Sequence, residues 1–323
     1  MCAHCLEATT ETDMPAQDPI AETPSLQSKA LATGAGFAAI GLWAALALFT
    51  TRTGTIPPFQ LAAMTFCLGG GAGAASWVMR PHAIQALHQP VKVWLVGVGG
   101  LFGYHALYFA ALRLAPPAEA GLISYLWPLL IVLGADFLLD KRLSLPTLIG
   151  GCLSFLGIVM LMGSRAAGLS LDGATLPGYA CALAAAFTWA FYSLASSKME
   201  LVPTDTVTGF CLVTALLSLL AHFAFETTVW PETAAQWLAL IGLGLGPVGA
   251  AFYLWDYGMK AGDIKKIGFA SYATPVLSTG LLVLMGEAEA TQGLGLACVL
   301  IAGGAALARL WPKKKQGLKQ TAL

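Results

Sequence analysis

The stretch "SYLWP", Ser124 to Pro128, lies inside a long apolar run and returns in the second half of the chain as "SYATP", Ser271 to Pro275. A proline inside a helix deletes one ladder hydrogen bond and clashes with the carbonyl four residues earlier, at roughly 3 kcal/mol in water. In each copy the carbonyl that loses its partner belongs to the serine, Ser124 or Ser271. Irregular backbone at membrane depth survives only where protein or a water-filled cavity satisfies it. A break repeated at matching positions therefore predicts two helices opened around one shared centre.

The sequence around these motifs sets the class. Hydrophobic residues make up 57% of the 323 and charged residues 11%, with a mean hydropathy of +0.72. A soluble domain carries about 25% charged residues, and so few charges could not cover a soluble surface. An all-α, polytopic membrane protein is expected. A bilayer core of ~30 Å takes about 20 apolar residues per crossing. On that rule ten transmembrane helices begin near Ala30, Phe59, Val91, Pro117, Leu145, Leu176, Thr206, Ala234, Ile264 and Thr291. Residues 1–28 lack a basic segment followed by an apolar one, so they read as a disordered cytoplasmic tail and not as a secretory signal. Residues 29–165 would hold the first five spans, 174–310 the second five, and 311–323 a basic cytoplasmic tail.

The tail opens with Cys2, His4 and Cys5, but a zinc site wants four ligands and a redox pair a folded support. No metal site or other cofactor is expected. Cys67, Cys152, Cys181, Cys211 and Cys298 fall in apolar segments, where a thiol behaves as a small hydrophobe. Lysine and arginine set the orientation. With both termini cytoplasmic, all of the 17 except Arg52, Arg113 and Arg165 fall on the inner side.

The motif is part of a longer repeat. Residues 95–163 align with 242–310 without a gap, pairing Gly97 with Gly244, Gly121 with Gly268 and Gly157 with Gly304. Further back, Trp43 pairs with Trp189 and Pro57 with Pro203. Five spans per half is an odd number, so the second half must enter the membrane upside down. The loops agree: "KAGDIKKIG" from Lys260 is more basic than its counterpart "RLAPPAEAG" from Arg113, and "DKRLS" at Asp140 corresponds to the acidic "EAEAT" at Glu287. Two inverted five-helix repeats are a signature of secondary transporters, whose site lies at mid-membrane between the repeats.

With ten spans, a five-plus-five inverted duplication, the early "IGLW" and a fourth helix bearing Tyr and Pro, the chain resembles the drug/metabolite transporter superfamily in its branch with two EamA domains. The segment "GYHALYFAALRLAPPAEAGLISYLWPLLIVL" is similar to the bacterial aromatic amino-acid exporters of that branch. The resemblance covers residues 30 to 310 and implies alternating-access export of aromatic amino acids across the bacterial cytoplasmic (inner) membrane. It departs from its own repeat at one place, where Phe187 stands opposite Gly41.

The residues themselves offer a lining for such a substrate. Tyr104 and Tyr108 are one helical turn apart and share a face, with His105 alongside. Together with Tyr125, Trp127 and Trp189 they would form an aromatic wall suited to stacking on a flat side chain. Ser271 and Tyr272 approach from the second repeat, and Pro128 and Pro275 act as hinges. Histidine, serine and the freed carbonyls are candidate partners for a carboxylate and an ammonium. The plainer alternative is that the prolines only kink helices for packing and the rings only fill space.

Asp136 and Asp256 read as headgroup-level residues near basic neighbours, Glu119 as a first-turn residue favoured by the helix dipole, and His222 as lying near a span end. None reads as a mid-membrane proton carrier. Gly244, Gly246 and Gly249 have dinucleotide-loop spacing inside an apolar span, where small residues let helices approach; no Walker A motif occurs, and no nucleic acid is implied. The expected partners are a small-molecule substrate and membrane lipid, and the chain is compatible with a monomer. Alternatives are a broader drug or metabolite exporter, a channel, or an intramembrane enzyme using Ser124 with His105.

Overall fold

The computed structural model describes residues 26–163, 173–286 and 292–310. Cys2, His4, Cys5, Arg165, the "EAEAT" loop and the basic C-terminal tail lie outside the described residues. Among the described residues every regular element is helical: α1 Leu26–Ala44, α2 Leu46–Arg52, α3 Pro58–Ser76, α4 Val91–Leu114, α5 Pro117–Ser124, α6 Trp127–Asp140 and α7 Leu145–Gly163. The second half follows with α8 Leu176–Ser196, α9 Thr206–Phe225, α10 Ala234–Leu245, α11 Ala251–Ala261, α12 Ile264–Ser271, α13 Ala273–Leu284 and α14 Gln292–Leu310. A 3₁₀ turn covers Pro81–Leu87, and a π turn, Gly246–Ala250, joins α10 to α11.

Six stretches are long and apolar enough to cross a membrane: Leu26–Arg52, Val91–Leu114, Glu119–Leu139, Leu176–Ser196, Thr206–Phe225 and Ala234–Ala261. A seventh forms if α12 and α13, bent by 42°, are counted as one span. The chain is thus a multi-pass membrane protein. Ten crossings were expected, and α3, α7 and α14 fall outside the six or seven. α3 is 19 residues long, but Gly69, Gly70, Gly71 and Gly73 dilute its hydropathy, while α7 and α14 contribute shorter apolar helices, Leu145–Leu161 and Gln292–Ala308.

The main packing partners are α7 with α14, α4 with α8, α3 with α9 and α1 with α11. Each pair runs antiparallel. In the first, a side chain added at Gly150 would overlap the Gly304 carbonyl, whereas one at Gly157 would meet Ala297 O at 3.1 Å. Two glycines thus bring these backbones into direct contact, the close approach that small residues permit where no hydrophobic effect drives helices together. Ser154 Oγ crosses the seam to donate to Ile301 O at 3.3 Å.

The α3–α9 pair is clamped at both ends. The Arg80 guanidinium, just past the end of α3, donates to Asp205, the residue before α9, at 3.0 and 3.2 Å. At the other end Glu226, just past α9, accepts from Phe59 N and Gln60 N in the first turn of α3, at 3.0 and 3.1 Å. Those amides have no partner inside their own helix, so the carboxylate caps it. Arg113 donates to the same carboxylate at 3.0 Å, and His222 Nδ1 lies 3.0 Å from it.

Two further carboxylates, expected at a headgroup surface, are enclosed by protein. Asp256 is 1% exposed and accepts from Ser196 Oγ, Thr204 Oγ1 and Lys260 Nζ at 2.8, 2.8 and 2.7 Å. Asp136 is fully buried, paired with Lys265 and accepting from Ser144 N at 2.9 Å. Charges out of water are tolerated only when paired and hydrogen-bonded, and both are. Glu119 sits in the first turn of α5 as expected, but it is buried and bonded to the Tyr179 hydroxyl.

The seam between α7 and α14 makes the first testable outcome. Gly150→Ala should destabilise the protein by about 1–3 kcal/mol, since a backbone oxygen and not a flexible side chain must give way. Gly303→Ala, whose nearest neighbour is Leu153 Cδ2 at 4.0 Å, should be neutral or slightly stabilising. Thermal unfolding of the two variants in detergent distinguishes them.

Candidate functional site

Both proline motifs break their helices. α5 stops at Ser124 and α6 restarts at Trp127, with Pro128 in its first turn; Leu126 N turns back to Ile123 O at 3.1 Å, tightening the last turn. In the second copy α12 stops at Ser271, and Tyr272 N bonds Phe269 O at 3.2 Å before α13 begins. The Ser271 hydroxyl donates to Ile267 O at 2.8 Å, within its own helix.

Beside the first break stands a cluster of four tryptophans from four helices: Trp43 on α1, Trp127 on α6, Trp189 on α8 and Trp255 on α11. Their ring centroids lie 4.9–6.4 Å apart, mostly edge-to-face. Phe252 closes one side, 5.8 Å from Trp189, and stacks on Phe66 at 5.4 Å. Aromatic pairs in these geometries are worth about 0.5–1.5 kcal/mol each beyond buried area, so the cluster is a rigid floor.

The α4 residues stand on that floor. Tyr104 lies 5.4 Å from Trp189, stacks on Tyr108 at 5.9 Å with 6° between planes, and meets His105 edge-on at 5.3 Å. His105 also contacts Phe66 at 5.0 Å and Phe109 at 5.9 Å. Tyr125, at the break itself, is 6.4 Å from Trp127. Trp127, Trp189 and Trp255 are buried, whereas Tyr104, His105, Tyr108 and Tyr125 retain accessible surface. The phenols and imidazole thus keep part of their surface accessible beside a closed indole layer.

Two of the four indole N–H groups of the layer, those of Trp43 and Trp255, have acceptors. In the π turn Ala251 N reaches back to Gly246 O, one residue further than an α-helix would, and the Pro247 carbonyl accepts Trp43 Nε1–H at 3.0 Å. Trp255 Nε1 donates to Ser193 Oγ at 3.1 Å. His105 Nδ1 faces Leu101 O at 2.7 Å; a carbonyl only accepts, so Nδ1 carries hydrogen and Nε2 of the neutral ring is the acceptor.

Of the residues singled out from sequence, Tyr104, His105, Tyr108, Tyr125, Trp127 and Trp189 come together here. Ser271 and Tyr272 do not join them. Tyr272 is fully buried in a neighbouring cluster with Ile158 and Ile301, against which Tyr125 packs from the other side. Among the described residues the hydroxyls of Tyr272 and Thr274 have no hydrogen-bond partner. Sequence reasoning missed Trp43, Trp255, Phe252 and Phe66 as members. A usable signal existed for two of them, since Trp255 and Phe252 occupy the places in the second repeat that Tyr108 and His105 hold in the first. Among the described residues no three His, Cys, Asp or Glu side chains converge as a metal site would need.

A model of the EamA-like transporter family matches residues 31–163 and again 176–310. The chain is 52% identical over 287 residues to the aromatic amino acid exporter YddG of Ancylobacter novellus, covering 89% of this chain and 100% of that protein. It is 26% identical to the aromatic amino acid exporter YddG of Escherichia coli K12, over 67% of this chain and 72% of that one. A solved crystal structure superposes with a TM-score of 0.82 at 51% identity, covering 87% of this chain and 98% of its own.

Two outcomes test the local chemistry. Trp43→Phe keeps the ring contacts but leaves the Pro247 carbonyl short of a donor, and should cost about 1–3 kcal/mol in thermal or denaturant unfolding. Asp263, which precedes α12, accepts from Lys266 N at 3.1 Å and pairs with Lys266 Nζ at 3.1 Å. Burial pushes its carboxyl up, but the Lys266 amide and ammonium and the nearby Lys29 outweigh burial and hold it below the usual carboxylate range. A folded pKa below the unfolded one gives stability that is complete above the unfolded value, about 3.9, and lost as pH falls through the folded one. Melting from pH 7 down to 3 should therefore show wild type and Asp263→Asn converging at the acid end.

Proposed function

Since the chain belongs to the EamA-like transporter family, we propose that it is a secondary carrier that exports aromatic amino acids across a bacterial cytoplasmic membrane by alternating access. One observation carries the reading: the partly accessible rings of Tyr104, Tyr108 and Tyr125 gather beside the Trp127–Trp189 layer, next to a helix broken at Tyr125. A flat side chain can stack on these rings. The amino-acid end would meet His105 Nε2 as acceptor and backbone left unpaired at the break.

The carrier reading includes ten crossings arranged as two inverted five-helix repeats, with both termini cytoplasmic. Its support is a contact that repeats under exchange of the halves. Gly150 against Gly304 and Gly157 against Ala297 are the same contact, each residue replaced by its counterpart in the other half. A two-fold axis lying between α7 and α14 produces this pattern. Transport would rock one repeat against the other, with Pro128 and Pro275 at the bending points. A monomer suffices for this cycle.

Purified protein in liposomes, given labelled tryptophan, phenylalanine or threonine, should move the two aromatic substrates faster than threonine. Tyr108→Ala and Trp127→Ala should each raise KM for the aromatic substrates by about 3–10-fold, the worth of one lost ring contact. Unchanged transport and selectivity in both variants would remove the stacking site, and threonine transported as well as phenylalanine would favour a broader metabolite exporter. For the inverted arrangement, thiol reporters at Lys266 and Glu287 should label from opposite faces of the bilayer.

A further inference from the structure

A cavity of about 1700 Å³ lies apart from the aromatic site, between α1, the start of α7, α12, α13 and α14. None of the tryptophans or tyrosines described above borders it. Its walls are apolar, with Phe37 from α1, Phe269 from α12, Val276 from α13 and Ile301 from α14. Its mouth is basic, ringed by Lys29, Arg142, Lys265 and Lys266. Asp263 at the mouth and Asp136 behind Lys265 offset two of these four cations. The Lys265 and Lys266 side chains stay 25% and 56% exposed even in those pairs, so the opening keeps two net positive charges within reach of an anion.

We propose that this crevice binds one anionic phospholipid, with its acyl chains along the apolar walls and its phosphate at the basic mouth. Size argues against a small solute, because pockets for small molecules span about 300–1,000 Å³ and an amino acid would be loose here. Charge argues for an acid headgroup, since basic pockets between membrane helices take such headgroups at about 1 kcal/mol per cation. The basic mouth is also not a by-product of duplication. The counterparts of Lys265, Lys266 and Arg142 in the other repeat are Ala118, Glu119 and Glu289, so the charge belongs to this crevice alone.

The test uses the full-length protein in a zwitterionic detergent, with lipid retention read by native mass spectrometry and thermal stabilisation as the second readout. Phosphatidylglycerol should bind, phosphatidylcholine with the same chains should not, and glycerophosphoglycerol, the same headgroup without chains, should fail to compete. Lys29→Gln with Arg142→Gln, both exposed positions, should weaken phosphatidylglycerol about 25-fold, or five-fold per cation. Val276→Trp, which fills the wall and leaves the charges, should expel the lipid while the protein still melts cooperatively. Equal retention of phosphatidylcholine, competition by the chainless headgroup, undiminished binding in either variant, or no retained phosphatidylglycerol would each overturn the assignment.

Discussion

A charged or backbone polar group held at membrane depth needs a partner from the protein, because the apolar surroundings offer none. That constraint explains why defects in one helix coincide with anchors from another. The π turn at Gly246–Ala250 shifts the local ladder, and the Pro247 carbonyl receives an indole N–H from α1. Glu226 ends one helix and caps the next, taking two amides, a guanidinium and an imidazole at once. Asp256 is surrounded by two hydroxyls and an ammonium. Removing a single partner from such a set leaves a buried charge exposed to hydrocarbon, which costs more than the interaction itself contributes.

The same rule organises the aromatic centre. Indoles are large apolar bodies with one donor each, and two of the four packed here bring that donor to an acceptor on another helix. Trp43 and Trp255 find theirs in a backbone carbonyl and in Ser193. With the floor fixed, the more polar phenols of α4 are left at its edge, beside the break that Pro128 imposes. A stacking surface and a helix break then meet at one place without any charged side chain.

Much of this was legible in the sequence. The apolar content decided the class, and the recurrence of Ser-Tyr-x-x-Pro located both broken helices to the residue. Tyr104, His105, Tyr108, Trp127 and Trp189 were recognisable because spacing within a helix and duplication between halves are both visible in one dimension. Trp43 and Trp255 were passed over although duplication pairs them with Trp189 and Tyr108, because spacing within a helix alone does not show which helices abut. Tyr272 shows the reverse limit: equivalence in sequence to Tyr125 did not give it an equivalent neighbourhood, since Ile158 and Ile301 enclose it. Asp136 and Asp256 were read by proximity to basic residues in the chain, but Asp136 is paired with a lysine from the other half. Hydropathy also understates α3, whose glycines serve packing at the expense of apolarity.

The glycine contact between α7 and α14 has an evolutionary consequence. Because backbone meets backbone at Gly150 and Gly304, a side chain gained there by one half must be answered in the other. Two halves joined in this way are constrained to change together along the seam. Fusion into one polypeptide keeps the matching surfaces in a single inherited unit.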